Sequence, residues 1–244
     1  MKIFKLFLIY FILIIPAKSN SIYNIIKIPN LKIYELKTAN NLKYFYAEKP
    51  FRLGVKKNII CVNSDKQTYD DKYKIIAKNL KKYSKEFLKK INLKYIVMCE
   101  NLSISGIKTA GIPDHTMKTL IIDVKFDNQY FERVIHHEVF HIINDAFKKI
   151  FNEEEWSKLN ESNFKYTACS TCSNKTGLYV YKEFNGFFTE YSKSTASEDM
   201  AEVFSHIVYN KNIVKEKISN DLILKKKVKF IKDKLNIVDN NFKF

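Results

Sequence analysis

His137-Glu138-Val139-Phe140-His141 is the stretch on which the reading of the fold turns. On a helix, histidines four residues apart project from one face, roughly 40° apart at about 100° per residue, and Glu138 stands to one side. Two imidazoles so placed can hold a metal ion while the neighbouring carboxylate acts as a base. Phe131, Ile135, Val139, Ile142 and Ala146 supply the opposite face, so the helix can bury one side and turn its histidines toward a cleft. The chain has five histidines, His115, His136, His137, His141 and His206, so the motif is not a by-product of a His-rich composition. The plain alternative is an amphipathic helix whose polar face carries two histidines.

A metal held by two histidines needs a third protein ligand, which commonly comes from another helix. The stretch Tyr191-Ser-Lys-Ser-Thr-Ala-Ser-Glu198-Asp-Met-Ala-Glu202-Val-Phe204 offers one. Glu198 and Glu202 lie one turn apart, with Met200, Val203, Phe204 and Ile207 as the apolar face behind them. Thr195-x-x-Glu198 also fits a capping box, in which Glu198 would only close the helix N-terminus. The histidine helix tips the choice toward Glu198 as a ligand.

These residues together resemble the gluzincin metallopeptidases, and within them the anthrax lethal factor-like group and the zinc-binding metallopeptidases of bacterial envelopes. The matching positions are His137-Glu138-x-x-His141, then Tyr191, then Glu198 at the head of Glu-x-x-Ala-Glu. The resemblance is sharp over residues 118–209. It implies one Zn2+ per chain on His137, His141 and Glu198, with Glu138 as general base and Tyr191 stabilising the oxyanion. It further implies that Glu202 orients a zinc-bound imidazole. Thermolysin-like enzymes carry Glu-x-x-x-Asp where this chain has Glu198-x-x-x-Glu202. Metzincins match poorly, since their remaining glycine and histidine positions are Asn144 and Phe147 here.

On residue types alone, zinc-activated water attacks a scissile carbonyl while Glu138 takes up its proton and returns it to the leaving amine. The Tyr191 phenol can supply a hydrogen bond to the oxyanion; the alternative is a structural tyrosine in the aromatic-rich run with Phe184, Phe187 and Phe188. His136, about 100° from His137 on the wheel, reads as a supporting or surface residue rather than a ligand. His206 reads as a surface histidine close enough to the site face to line the cleft. Asp199 reads as a first-turn carboxylate favoured by the helix dipole.

Met1–Asn20 carries lysines at 2 and 5, an apolar run from Leu6 to Ile15, Pro16, and small residues at Ala17 and Ser19. That is the plan of a secretory signal peptide cleaved after Ser19, and the apolar run is short for a permanent anchor. The expected organisation is a signal at 1–19 and one catalytic domain over 20–244. The expected location is secreted or periplasmic, at the cell envelope.

The formal charge of +16 comes almost wholly from lysine, with Arg52 and Arg133 as the arginines, in a chain rich in Ile, Asn, Phe and Tyr. Such a mixture follows from A/T-rich coding, and no nucleic-acid-binding signature accompanies it, so no nucleic-acid partner is expected. Weak attraction to an anionic membrane surface stays open. The lysine runs at Lys81–Lys82 and Lys225–Lys227 are expected on exposed helix positions. Four cysteines, Cys61, Cys99, Cys169 and Cys172, allow three pairings. Cys61 and Cys99 fall on expected strands that could be neighbours. Cys169-Ser-Thr-Cys172 reads as a small disulfide or a pair of thiols between the two site helices.

Patterning gives extended segments at 22–33 and 43–47 and strands at 58–62 and 93–99. An amphipathic helix is expected over 69–91, then a turn region containing Gly106, Gly111 and Pro113. A strand over Thr119–Phe126 follows, which the resemblance implies is the edge strand that a peptide substrate extends. Helices are expected at 129–149, 197–210 and 215–235. The fold class is α+β and zincin-like: a small mixed sheet whose edge strand packs on the active-site helix, followed by a helical C-terminal part. The expected activity is that of an exported, monomeric zinc metallopeptidase acting on a peptide or protein. The alternatives are a zinc hydrolase of a non-protein amide such as cell-wall peptide, or a non-catalytic basic envelope-binding protein.

Overall fold

The computed structural model describes residues 28, 30–63, 65–181 and 186–244. The expected signal at 1–19, and residues 22–27 and 29 of the expected extended segment at 22–33, lie outside the described residues. The described architecture is α+β. Its strands are β1 (Leu31–Glu35), β2 (Lys43–Ala47), β3 (Phe51–Leu53), β4 (Ile59–Val62), β5 (Tyr95–Ile104), β6 (Ile107–Lys108), β7 (Gly111–Asp114) and β8 (Thr119–Asp123). Helices α1 (Lys66–Leu80) and α2 (Lys85–Lys90) separate β4 from β5. After β8 come α3 (Asn128–Ala146), α4 (Glu153–Ser157), α5 (Ala196–Tyr209), α6 (Lys211–Asn220) and α7 (Leu222–Val238).

Strand β5 is the spine of the mixed sheet. Its first half pairs in parallel with β2 on one side and β8 on the other, and β1 and β7 close the two flanks antiparallel. Its second half turns to β4 and β6, both antiparallel, with β3 beyond β4. The change of partner falls at Asn101, which adopts a left-handed φ of 52°, a conformation asparagine tolerates better than most residues. The Asp123 carboxylate fixes the bend by accepting the backbone N–H groups of Asn101 and Leu102 at 3.0 and 3.1 Å.

Alternation along the strands sorts side chains to two faces. Tyr44, Ile96, Met98, Leu120 and Ile122 join the large core with α1, α3, α5 and α7. Phe45, Ala47, Tyr95, Val97 and Ile121 form a smaller cluster on the other face. The Cys61–Cys99 disulfide lies in that second cluster and ties β4 to β5.

The edge strand is not the expected one. All five residues of β8 are buried, and the strand lies between β5 and β7. Its Leu-Ile-Ile run fits a strand covered on both faces. Among the described residues the edge is β7, which grows from the Gly111-Ile-Pro-Asp114 stretch expected to be a turn and lies against α3. Pro113 belongs there, because an edge strand tolerates a missing N–H donor.

Two expected helices are each divided by a cap. Ser84 accepts the Phe87 N–H at 3.1 Å and starts α2 afresh after the 81–83 turn. Asp221 accepts the Leu224 N–H at 2.8 Å and separates α6 from α7. Lys81, Lys82, Lys225 and Lys226 are exposed as expected, but Lys227 is wholly buried. Its Nζ lies 2.6 Å from Asp199 Oδ2 and 2.6 Å from the Gly186 carbonyl, so a charge pair replaces the water it has lost.

Candidate metal centre

Helix α3 is capped by Asp127, which accepts the Gln129 N–H at 2.8 Å. Phe131, Ile135, Val139 and Ile142 enter the core, and this packing makes up for the modest helix propensity of a β-branched-rich segment. The other side of α3 packs on α5 and presents His137, Glu138 and His141 to a cleft of about 630 Å³. Helix α5 starts at Thr195, whose Oγ1 accepts the Glu198 N–H at 3.2 Å. The cap is therefore made, yet the Glu198 carboxylate does not close it and turns to the imidazoles instead.

His137 Nε2 and His141 Nε2 are 3.1 Å apart, and Glu198 Oε2 lies 2.9 Å from the first and 3.2 Å from the second. Donors each roughly 2.0–2.1 Å from one tetrahedral zinc stand about 3.3 Å from one another, so this near-equilateral triangle fits such an ion with little adjustment. The far nitrogens are already engaged. His137 Nδ1 donates to Glu202 Oε1 at 2.9 Å, and His141 Nδ1 lies 3.3 Å from Ser197 Oγ. Both Nε2 atoms are thus left facing the common centre.

The imidazoles and carboxylates of the cluster also shift one another. Burial alone pulls the His137 imidazole down, but its hydrogen bonds to Glu198 and Glu202 outweigh that and push it up to about 10. Burial pushes Glu198 up, yet the two imidazoles overcome it and hold the carboxyl well below the usual range. For Glu202, burial is likewise outweighed, here by Arg133 and His137. Glu138 goes the other way, because burial raises it more than the two imidazoles lower it. The Tyr191 ring stands 5.8 Å from the His137 ring, and burial together with the Glu198 and Glu138 carboxylates raises its phenol far above the ordinary value.

The structure thus gathers His137, Glu138, His141, Tyr191, Glu198 and Glu202 along one cleft wall. Other expectations are corrected. His136 is neither on the surface nor in the cluster: it points into the interior, with Nδ1 2.7 Å from the Tyr83 hydroxyl and Nε2 3.1 Å from Asn79 Oδ1. Burial, helped by Lys82, lowers it to about 3. His206 is buried too, stacked on Phe188 with ring centroids 4.2 Å apart. Its Nδ1–H donates to the Glu202 carbonyl at 2.8 Å. Asp199 is in the first turn as expected, but it is buried and accepts from Lys227, Trp156 and Tyr166.

Four supporting residues escaped the sequence reading. Arg133 pairs with Glu202 in the interior, and Thr189 Oγ1 donates to Glu202 Oε2 at 2.8 Å. Ser197 meets His141. Gly111 is forced by space, since a Cβ there would stand 2.6 Å from Glu138 Cγ. The cleft is also lined by Lys108–Pro113 and by Ser170, Thr171, Ser173, Thr176 and Leu178. The Cys169–Cys172 disulfide closes a small loop at the start of that stretch.

A protein-family model described as "Putative zinc-binding metallo-peptidase" matches residues 62–244. Among solved structures, the chain is similar to the crystal structure of a putative zinc-binding metallo-peptidase from Bacteroides caccae. The two share 20% identity over 83% of this chain and 78% of that one, with a TM-score of 0.48. No curated protein matches the chain.

Proposed function

The chain belongs to this family of zinc-binding metallo-peptidases, and from that membership we propose that it hydrolyses peptide bonds with His137, His141 and Glu198 as zinc ligands and Glu138 as general base. The observation that carries the reading is the placement of Glu138. Its carboxylate is buried in the cleft wall beside the three-donor cluster, in space that only a glycine at 111 leaves open. A closed structural metal site has no use for such a group.

Zinc bound there supplies Lewis acidity, which polarises a scissile carbonyl and makes water nucleophilic near neutral pH. Glu138 accepts the proton of the attacking water and delivers it to the leaving amine. Burial raises its affinity for that proton above that of an ordinary carboxylate, which suits a group that has to take a proton and hand it on. Tyr191 keeps its phenolic proton and donates a hydrogen bond to the oxyanion as charge develops. Glu202 accepts the His137 Nδ1–H and fixes the ring with Nε2 toward the ligand cluster.

Export is part of the proposal. The Lys2-Lys5 start, the apolar Leu6–Ile15 run and the small residues at Ala17 and Ser19 support it, and two disulfides suit an oxidising compartment. Among the described residues no helix is long and apolar enough to cross a membrane.

The test is cleavage of a mixed-sequence peptide library by the purified zinc-loaded protein. Wild type is expected to cut, and Glu138→Gln with the same zinc content is expected not to. Zinc-loaded wild type that leaves every peptide intact would sink the peptidase reading in favour of a non-protein amide.

A further inference from the structure

We propose that Arg133 is a positioning residue that couples the orientation of the His137 imidazole to the wall of the cleft. The proposal rests on the metal-centre reading above. Arg133 is 4% exposed and is one of two arginines in a chain whose other basic side chains are mostly lysine. Its guanidinium uses both ends. Nη1 donates to the Glu202 carboxylate, and Nη2 donates to the Leu178 carbonyl at 3.2 Å. An ammonium is a single point donor and does not reproduce that fork.

Glu202 is held from three directions, by Arg133, by Thr189 Oγ1 at 2.8 Å and by His137 Nδ1 at 2.9 Å. With its acceptor positions taken, the carboxylate has little freedom, and neither has the imidazole that donates to it. Leu178 and Thr176 line the cleft. Between them, the Gly177 carbonyl accepts the Tyr191 N–H at 3.0 Å, and the Gly177 N–H donates to Glu190 Oε2 at 3.0 Å. The wall at 176–178 is therefore fastened through Arg133 to a metal ligand and through its own backbone to the tyrosine. A substrate side chain that presses on Leu178 acts on both through hydrogen bonds.

The test uses the full-length protein as Arg133→Gln, Arg133→Lys, Glu202→Gln and the Arg133→Gln/Glu202→Gln double variant. Zinc affinity is read by competition with a chromophoric chelator, alongside the Tm of the zinc-free protein and the separate kcat and KM of each zinc-loaded form. Loss of an outer partner typically weakens metal binding 10–100-fold, so Arg133→Gln is expected to fall by about that factor. In the Glu202→Gln background the same change is expected to cost less than about threefold, because the effect travels through Glu202. Arg133→Lys keeps a cation on Glu202 but releases Leu178. It is expected to hold zinc within about threefold of wild type while KM rises about tenfold and kcat stays close to wild type.

If Arg133→Gln does not fold, the double variant carries the test, since it buries no unpaired charge. Zinc affinity equal to that of Glu202→Gln supports the proposal, and a further tenfold loss overturns it. Undiminished zinc affinity in folded Arg133→Gln also overturns it, as does the same loss in both backgrounds. Wild type that binds no zinc would overturn the metal-centre reading and this proposal together, whereas zinc-binding wild type with unaffected variants overturns this proposal alone.

Discussion

Gly111→Ala is the substitution whose consequence can be worked most directly from the geometry. A Cβ at 111 would stand 2.6 Å from Glu138 Cγ, 2.9 Å from Glu138 Cδ and 3.3 Å from the Ile121 carbonyl oxygen. Ordinary carbon contacts are about 3.5–4.0 Å, so roughly 1 Å of movement is needed. The Ile121 backbone closes the other side, so the displacement falls on Glu138. A misplacement of about 1 Å in a reacting group costs about 100-fold in rate, or about 2.7 kcal/mol of transition-state stabilisation. The backbone itself accepts alanine, because φ at Gly111 lies outside the left-handed region. Zinc content and Tm should therefore stay near wild type while kcat/KM on a cleaved peptide falls about 100-fold. Gly106→Ala is the control. It meets nothing within 4 Å but sits at φ +83°, so it should lower stability by about 1 kcal/mol and leave kcat/KM alone. Gly111→Ala with kcat/KM within about threefold of wild type would refute the argument that this glycine makes room for the base.

Tyr191→Phe should lower kcat by about 10²–10³-fold at unchanged zinc content, measured by steady-state cleavage, if the phenol donates to the oxyanion. Lys227→Met strands the buried Asp199 carboxylate and should destabilise the fold by about 3–5 kcal/mol in urea titration, with most of that recovered in Lys227→Met/Asp199→Asn. Burial, with Arg133 nearby, lowers His206 to about 4, against an unfolded value of 6.5. The unfolded chain therefore takes up this proton first. The contribution is complete above about pH 6.5 and is lost at about 1.4 kcal/mol per unit as pH falls toward about 4. Thermal melts between pH 7 and 4.5 should show this acid loss, and His206→Phe should flatten it.

The parts of the site that could be read from the sequence are those fixed by short spacings. His137 and His141 share a helix face, and Tyr191, Glu198 and Glu202 lie within one capped turn-and-helix segment. The parts that could not be read depend on contacts across long separations. Arg133 meets Glu202 69 residues away, and Gly111 owes its identity to a side chain on another element. No local pattern marks either. The edge strand was hidden by composition, because a Gly-Ile-Pro-Asp stretch has low strand propensity and becomes β7 only by pairing with β8.

Some signals were present and outweighed. Lys227 falls in helical register with Leu224, Val228 and Ile231 on the buried side of α7, but lysine is so rarely buried that residue type alone points to solvent. Helix α5 is apolar or buried on nearly every side, the pattern of an interior helix, and that pattern places His206 inside. Ser84 and Asp221 are ordinary cap residues. They interrupted apolar periodicities that would otherwise have run on as single helices.

The most direct measurement of the central claim is zinc stoichiometry by elemental analysis of wild type beside Glu198→Ala, after dialysis against a weak chelator. One zinc per chain in wild type, lost in a Glu198→Ala protein that remains folded, is the predicted result. Folded wild type that holds no zinc after reconstitution, or Glu198→Ala that keeps zinc as tightly as wild type, would contradict the account.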